Sequence, residues 1–380
     1  MKHMGALMDN SKLKKGWTRY TIMHKDRRVV SVREDGSCKI YSRQYMPYNL
    51  YLDTSDDDIS TRVDNLNNFY YWCSSRILTL DRKYAKEMLN SIGAKQANTD
   101  KERAMITISY HGVCLTDSYW IKSNREAVNY SDINLFTHSL SDAFADVSLF
   151  GTQLTAQNAE LIDPKEVAGD VGTQGVAPKA WIRDGKNFFL LKDGEMRDVD
   201  AELLASRIID CFNVSHVSYE ESFFNGKKVS RSRIITSESL SLVPIEYVEI
   251  YCTNKDTNLY DFVKNKDSYS YFMMNIVDYL VGNTDRHWGN WGFYADENNK
   301  LTKLYPLMDF NKSFLSYDSV EGARCQTTEK NLSQKDAAIE AVKKNGLNQI
   351  KEVNPEWFND KNTKEMFFKR LDILKNAENY

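Results

Sequence analysis

The sequence predicts an α+β protein in three parts: an N-terminal α+β extension over residues 1–160, a strand-rich small lobe over 161–253 and an α-rich large lobe over 254–380. Three observations carry this. Short β-rich runs separated by turn signals open the chain. A hairpin pattern, WIRDGKNFFLLK, is followed at once by an amphipathic helix pattern. A long apolar helix pattern then delivers a polar loop, and further amphipathic helices complete the chain.

With 380 residues the chain has room for two or three cores. Its 50 Lys and Arg against 53 Asp and Glu leave a net charge of −3, which argues against nucleic acid as the main ligand. Apolar residues at 42% and aromatics at 12% are a globular composition. The six cysteines contain no C-x-x-C pair, so neither a zinc site nor a disulfide framework is indicated, and a reducing, cytoplasmic setting is expected. No run reaches the ~18 apolar residues of a membrane span, and MKHMGALMDNSKLKKGW lacks a signal-peptide core.

In the extension, YTIMH, RRVVSV and SCKIYS read as a small antiparallel meander. Helices are expected from about Thr61 to Ser75 and from Asp81 to Ile92, the second closed by Gly93. AMITISYHG and DSYWIKS read as strands, and a helix is expected over 131–150. The aromatics Tyr70, Tyr71, Trp72, Tyr119 and Trp120 could stack nucleic-acid bases, but no basic cluster interleaves them and core packing is the plainer reading.

The small lobe starts with AGDVGTQGVAPK, where Gly169, Gly172 and Gly175 precede Lys179. Glycines let a backbone approach phosphates, though the same residues also make ordinary turns. The hairpin turns at Asp184-Gly185 and its second strand ends on Lys192. The next helix, capped by Asp198 or Asp200, carries Glu202 in its first turn. That glutamate can orient Lys192, or it can simply answer the helix dipole. Ser230, Ser232, Thr236, Ser237 and Ser239 form a hydroxyl-rich segment that is either a phosphoacceptor region or a solvated loop. Val243 to Tyr251, with Glu246 and Val248, reads as a hinge strand whose backbone would meet the edge of a nucleobase.

Chemistry concentrates in VGNTDRHWGNWGFYADENNKLTKLYPLMDFN. A buried helix over 268–281 should end at Gly282-Asn283 and deliver Asp285, with Asn290 five residues on. Asp309 follows in LYPLMDF, an apolar run read as a strand. A carboxylate to take the proton of a hydroxyl, with an amide oxygen and a second carboxylate to hold Mg²⁺, is the set that phosphoryl transfer requires. A polar hairpin whose Asp and Asn cap turns is the alternative. His287 has no second histidine nearby and is read as structural.

NTDRHWGNWGF followed by PLMDFN resembles the HipA-like Ser/Thr kinases, and in particular their CtkA-like branch. The resemblance implies a bilobal protein-kinase-like fold behind the N-terminal α+β domain, with ATP and Mg²⁺ as cofactors. It implies catalytic roles for Asp285, Asn290 and Lys192, and metal ligation by Asn290 and Asp309. Gly172, Thr173, Gly175, Lys179, Lys192, Glu202, Glu246 and Val248 would hold the nucleotide. The substrate implied is a protein Ser/Thr hydroxyl, including the chain's own, with an antitoxin or other regulator as partner and no membrane. Where relatives carry a serine near the start of the glycine-rich loop, this chain has Gly172 and Thr173. Phosphatidylinositol kinases share a related Asp-Arg-x-x-x-Asn arrangement. A small-molecule or lipid kinase, or a silent nucleotide-binding regulator with a DNA-associated N-terminal domain, therefore stays open.

Overall fold

The computed structural model describes residues 17–55, 57–94, 97–153, 164–193 and 196–378. The expected absence of a leader core within 1–16 and the expected boundary at 160–161 lie outside these residues. The chain folds as two compact units. The first runs up to Leu190 and adds Thr236–Ser241 and Glu297–Asn299; the second takes Leu191–Ile235, Leu242–Asp296 and everything from Lys300.

In the first unit β1 (Arg19–His24), β2 (Arg27–Arg33), β3 (Cys38–Ile40) and β4 (Tyr119–Ser123) form an antiparallel sheet in the order β3-β2-β1-β4. Apolar alternation puts Ile22, Val30, Val32 and Ile121 on the face that meets α1 (Ile59–Ser74), where Phe69, Trp72 and Cys73 are buried. Each such side chain contributes about 1.5–3 kcal/mol on leaving water. α2 (Ala85–Ser91) is shorter than the expected 81–92 helix, because Tyr84 at its start adopts a left-handed φ of 67°. Of the expected strand AMITISYHG, Ala104 to Ser109 is instead part of α3 (Asp100–Ser109), and the last three residues form the turn that follows. A reciprocal cap between Thr99 and Glu102 starts this helix, and Thr107 Oγ1 donates to the Cys73 carbonyl at 2.8 Å, fixing it against α1. α4 (Asp142–Phe150), α5 (Pro164–Val171), β5 (Lys179–Asp184) and β6 (Asn187–Lys192) follow. Gly185 makes the β5–β6 turn with φ 59°.

The second unit contains α6 (Met196–Ile209) and the antiparallel pair β7 (Tyr219–Phe224) and β8 (Lys227–Arg233), in which Glu221 faces Ser230. Asp198 and Asp200 lie inside α6 and not at its cap. β9 (Leu240–Pro244) ends where α7 (Ile245–Thr253) begins. The expected hinge strand is therefore largely helix, since Ile245, Val248 and Cys252 are buried at helical spacing behind Pro244. α8 (Leu259–Val281) kinks at Asp267 and stops at Gly282, which takes φ 61°. β10 (Gly292–Asp296) and β11 (Leu301–Leu304) sit beside β9 in the order β11-β10-β9. Beyond Leu304 the expected LYPLMDF strand survives only as a parallel bridge between Leu307 and His216. α9 (Gln334–Asn345) and α10 (Lys361–Glu378) pack on α8, whose Met273, Met274, Ile276, Tyr279 and Leu280 are fully buried. Among the described residues no helix is long and apolar enough to cross a membrane.

Candidate active site

At the end of β6 the Lys192 side chain is buried, and its Nζ donates to Glu202 Oε1 of α6 at 2.7 Å and to Asp309 Oδ1 at 3.0 Å. Burial works against the ammonium, but the carboxylates of Asp309 and Glu202 outweigh it and hold Lys192 well above the ordinary lysine value. Glu202 is 1% exposed, and its other oxygen accepts the Ser230 hydroxyl of β8 at 2.6 Å. Tyr219 of β7 places its ring 5.1 Å from Lys192 Nζ and accepts the Asp309 N–H at 3.1 Å. Burial pushes the Tyr219 phenol up, so it stays neutral beside the carboxylates. Four elements thus converge on one buried ammonium.

The loop after α8 is held by Arg286. Its Nε and Nη2 grip both oxygens of buried Asp278 at 2.9 and 3.0 Å, and Nη1 donates to the carbonyls of Asn290 and Met308 at 2.9 and 2.6 Å. This planar fork ties helix end, loop and Asp309 approach together. Asn290 Nδ2 donates to the Asp285 carbonyl at 2.9 Å, which closes the loop on itself. Burial raises the Asp285 carboxyl above its usual value; Asp309 adds to the rise, while His287, Lys312 and Arg286 oppose it. A carboxylate raised in this way is a better proton acceptor. His287 is exposed and its Nδ1 accepts the Gly289 N–H at 3.0 Å.

Asp309 itself has a left-handed φ of 64°. The chain beyond it is fastened: Lys312 pairs with Asp198 at 2.5 Å, the Phe314 carbonyl accepts from Arg197 at 3.0 Å, and Arg370 Nη2 donates to the Ser319 carbonyl at 2.6 Å. Among the described residues no three His, Cys, Asp or Glu gather as a metal cluster. A hard cation that borrows most of its oxygens from phosphates and water needs fewer. Asp309 and Asn290 supply hard oxygen donors, and the neighbouring Asn311 Oδ1 is buried with no hydrogen-bond partner, so the donor chemistry fits Mg²⁺.

The remaining sequence candidates make other contacts. In the first unit the N–H groups of Gly172 and Thr173 are spent on the Ala168 and Asp170 carbonyls, finishing α5. A Cβ at Gly172 would come within 2.8 Å of the Val113 carbonyl, so this glycine is required by packing. Among the described residues the N–H groups of Gln174, Gly175, Val176 and Ala177 have no acceptor. Gly175 has φ 103°, and a Cβ there would collide with Lys179 Nζ, because the Lys179 side chain folds back over it. On α7, Val248 is fully buried and Glu246 is exposed, so neither offers the edge of a strand. Sequence reasoning missed the roles of Tyr219, Ser230 and Asp278 as supports, since nothing local links them to Lys192 or Arg286.

No family model matches the chain. Over 102 residues it is 32% identical to the serine/threonine-protein kinase CtkA of Helicobacter pylori (strain J99), a match that takes in 24% of this chain and 31% of that protein. The chain thus spans about a third of that relative's length. A crystal structure of the Helicobacter pylori proinflammatory kinase CtkA aligns with a TM-score of 0.43 and 15% identity over 54% of this chain and 91% of its own. HipA of Shewanella oneidensis MR-1, solved with HipB and operator DNA, aligns with a TM-score of 0.55 and 10% identity over 95% of this chain and 97% of its own. The chain therefore shares the fold of HipA along nearly its whole length, and one segment of it is similar in sequence to CtkA.

Proposed function

We propose that the chain is an ATP- and Mg²⁺-dependent Ser/Thr protein kinase of HipA-like type that phosphorylates itself. The observation that carries the reading is the Lys192–Glu202–Asp309 cluster, a buried ammonium between two carboxylates. Structural ion pairs are seldom so placed, because burying an ammonium and a carboxylate beside a second carboxylate is costly unless they serve a site.

In this reading Lys192 neutralises the α/β-phosphates. Within the first unit, the open N–H groups from Gln174 to Ala177 are of the kind that cradles phosphate oxygens. Asn290 and Asp309 would hold Mg²⁺, which would supply positive charge to offset that of the phosphates. Asp285 takes the proton of the attacking hydroxyl, helped by its raised pKa. Within the hydroxyl-rich segment Ser230, Ser232 and Thr236 are buried and Ser237 is half-buried, whereas Ser239 is exposed and is the acceptor we favour. The substrate is a protein hydroxyl, and a cytoplasmic setting suits six cysteines joined by no disulfide.

Intact mass and peptide mapping after incubation with Mg²⁺-ATP test this, beside Asp285→Ala and Asp309→Ala. Phosphate on Ser or Thr of the wild type, absent from both variants, is the expected result. Absence of any nucleotide binding by the wild type would sink the kinase reading.

A further inference from the structure

The loop from Asp170 to Lys179 is fastened at its base by the segment Ile77–Lys83 of the N-terminal extension, all within the first unit. Leu78 N–H donates to the Val171 carbonyl at 2.7 Å and Lys83 N–H to the Val176 carbonyl at 3.1 Å. Gln174 Nε2 reaches back to the Ile77 carbonyl. At the centre lies Arg82, 2% exposed. Its Nη1 donates to the Thr173 carbonyl at 3.1 Å and the Asp170 carbonyl at 3.4 Å, and its Nη2 to the Lys179 carbonyl. One guanidinium therefore bridges both limbs of the loop.

The loop adds its own clasp: Asp170 Oδ1 accepts the Trp181 N–H at 2.7 Å, and Thr173 Oγ1 accepts from Trp181 Nε1 at 3.0 Å while donating to the Gly169 carbonyl at 2.6 Å. Between these limbs the tip from Gln174 to Ala177 keeps four N–H groups without an acceptor among the described residues. An arginine deep in the protein is a costly device for holding carbonyls, and a planar fork is the one side chain that spans two strands of backbone at once. The consequence is a loop whose carbonyls are tied to the extension while four of its N–H groups stay open.

We infer that Arg82 is a positioning residue that fixes the Asp170–Lys179 loop, so that the N-terminal extension sets the affinity of that loop for nucleotide phosphates. The inference rests on the kinase reading above for its ligand, and on the hydrogen bonds alone for the holding of the loop. It gives the Ile77–Lys83 segment of the extension a function in shaping that loop.

The test uses the full chain with Arg82→Met, Arg82→Lys and the surface variant Gln174→Ala. Binding of Mg²⁺ with a non-hydrolysable ATP analogue is measured by calorimetry, hydrogen exchange is read over peptides covering 170–181, and turnover is compared at saturating ATP. Arg82→Met should bind the analogue about tenfold more weakly, as loss of charge-assisted bonds to three carbonyls implies, with faster exchange confined to 170–181. Maximal turnover should stay within about threefold, because the reacting groups are untouched. Arg82→Lys, which keeps the charge and loses the fork, should fall between wild type and Arg82→Met. A folded Arg82→Met with unchanged exchange and affinity overturns the inference. If Arg82→Met does not fold, unchanged exchange and affinity in both Arg82→Lys and Gln174→Ala overturn it. A wild type that binds no analogue refutes the nucleotide part together with the kinase reading, while the exchange data still decide whether Arg82 holds the loop.

Discussion

Lys192 and Asp309, 117 positions apart in the chain, meet in a 3.0 Å ion pair that also takes in Glu202 at 2.7 Å. Replacing Lys192 by Met would leave two carboxylates without their cation, one of them 1% exposed. Breaking a buried pair from one side costs about 3–5 kcal/mol. Lys192→Met is therefore expected to lose phosphotransfer and to melt well below the wild type. Glu202→Gln keeps an oxygen for Lys192 and loses only charge, so its melting point should fall less. Chemical denaturation of the three proteins checks the order; equal stabilities would mean that the cluster is not buried in solution.

Asp170 gives stability a pH dependence of unusual sign. Burial raises its carboxyl to about 7, against the opposing effects of the Trp181 N–H and the Arg82 guanidinium. Between the ordinary carboxylate value of about 3.9 and that raised one, the folded state binds more protons than the unfolded state. Stability from this group is therefore full at low pH and is lost as pH rises through about 7. The loss is at most about 1.4 kcal/mol for each pH unit between those two values. Asp170→Asn keeps the acceptor for Trp181 and should flatten the fall in melting temperature from mildly acidic to mildly basic pH. Parallel melting curves across that range would refute the assignment.

Arg286→Lys preserves charge and removes the fork that joins Asp278 to the carbonyls of Asn290 and Met308. A single ammonium cannot span these acceptors. The loop bearing Asp285 and Asn290 should shift, and misplacement by about 1 Å costs on the order of 100-fold in turnover. The drop is expected in kcat more than in KM for ATP, because Lys192 and its partners remain. Steady-state kinetics decide it, and an unchanged kcat would show that the fork is not what positions Asp285.

Much of the local structure was legible from residue types. The Asp184-Gly185 turn, the stop of α8 at Gly282 and the helices α6, α9 and α10 follow from turn chemistry and helical spacing. Two segments were not. AMITISYHG has the β-branched look of a strand, but the Thr99–Glu102 cap and the docking of Thr107 on Cys73 make Ala104 to Ser109 helix. The Val243–Tyr251 segment already held a helical stripe in Ile245, Val248 and Cys252, which strand-like composition obscured.

The candidate site divides in the same way. Asp285, Arg286 and Asn290 sit within one loop, so their closeness is a property of the chain and could be read from it. Which groups face Lys192 could not be read, because Glu202, Ser230, Tyr219 and Asp309 come from four separate segments and meet only when their apolar faces pack. The same holds for Arg82, which gives no local sign of its partners and finds them 91 and 97 positions away in the Thr173 and Lys179 carbonyls. Residue order alone set the succession and kind of most elements, the type of chemistry in the loop after α8 and the positions of its turns, since these depend on neighbours in the chain. Long-range packing set which buried charges pair, which amides are spent and which stay open, since a charge or an N–H finds its partner by burial against residues remote in sequence.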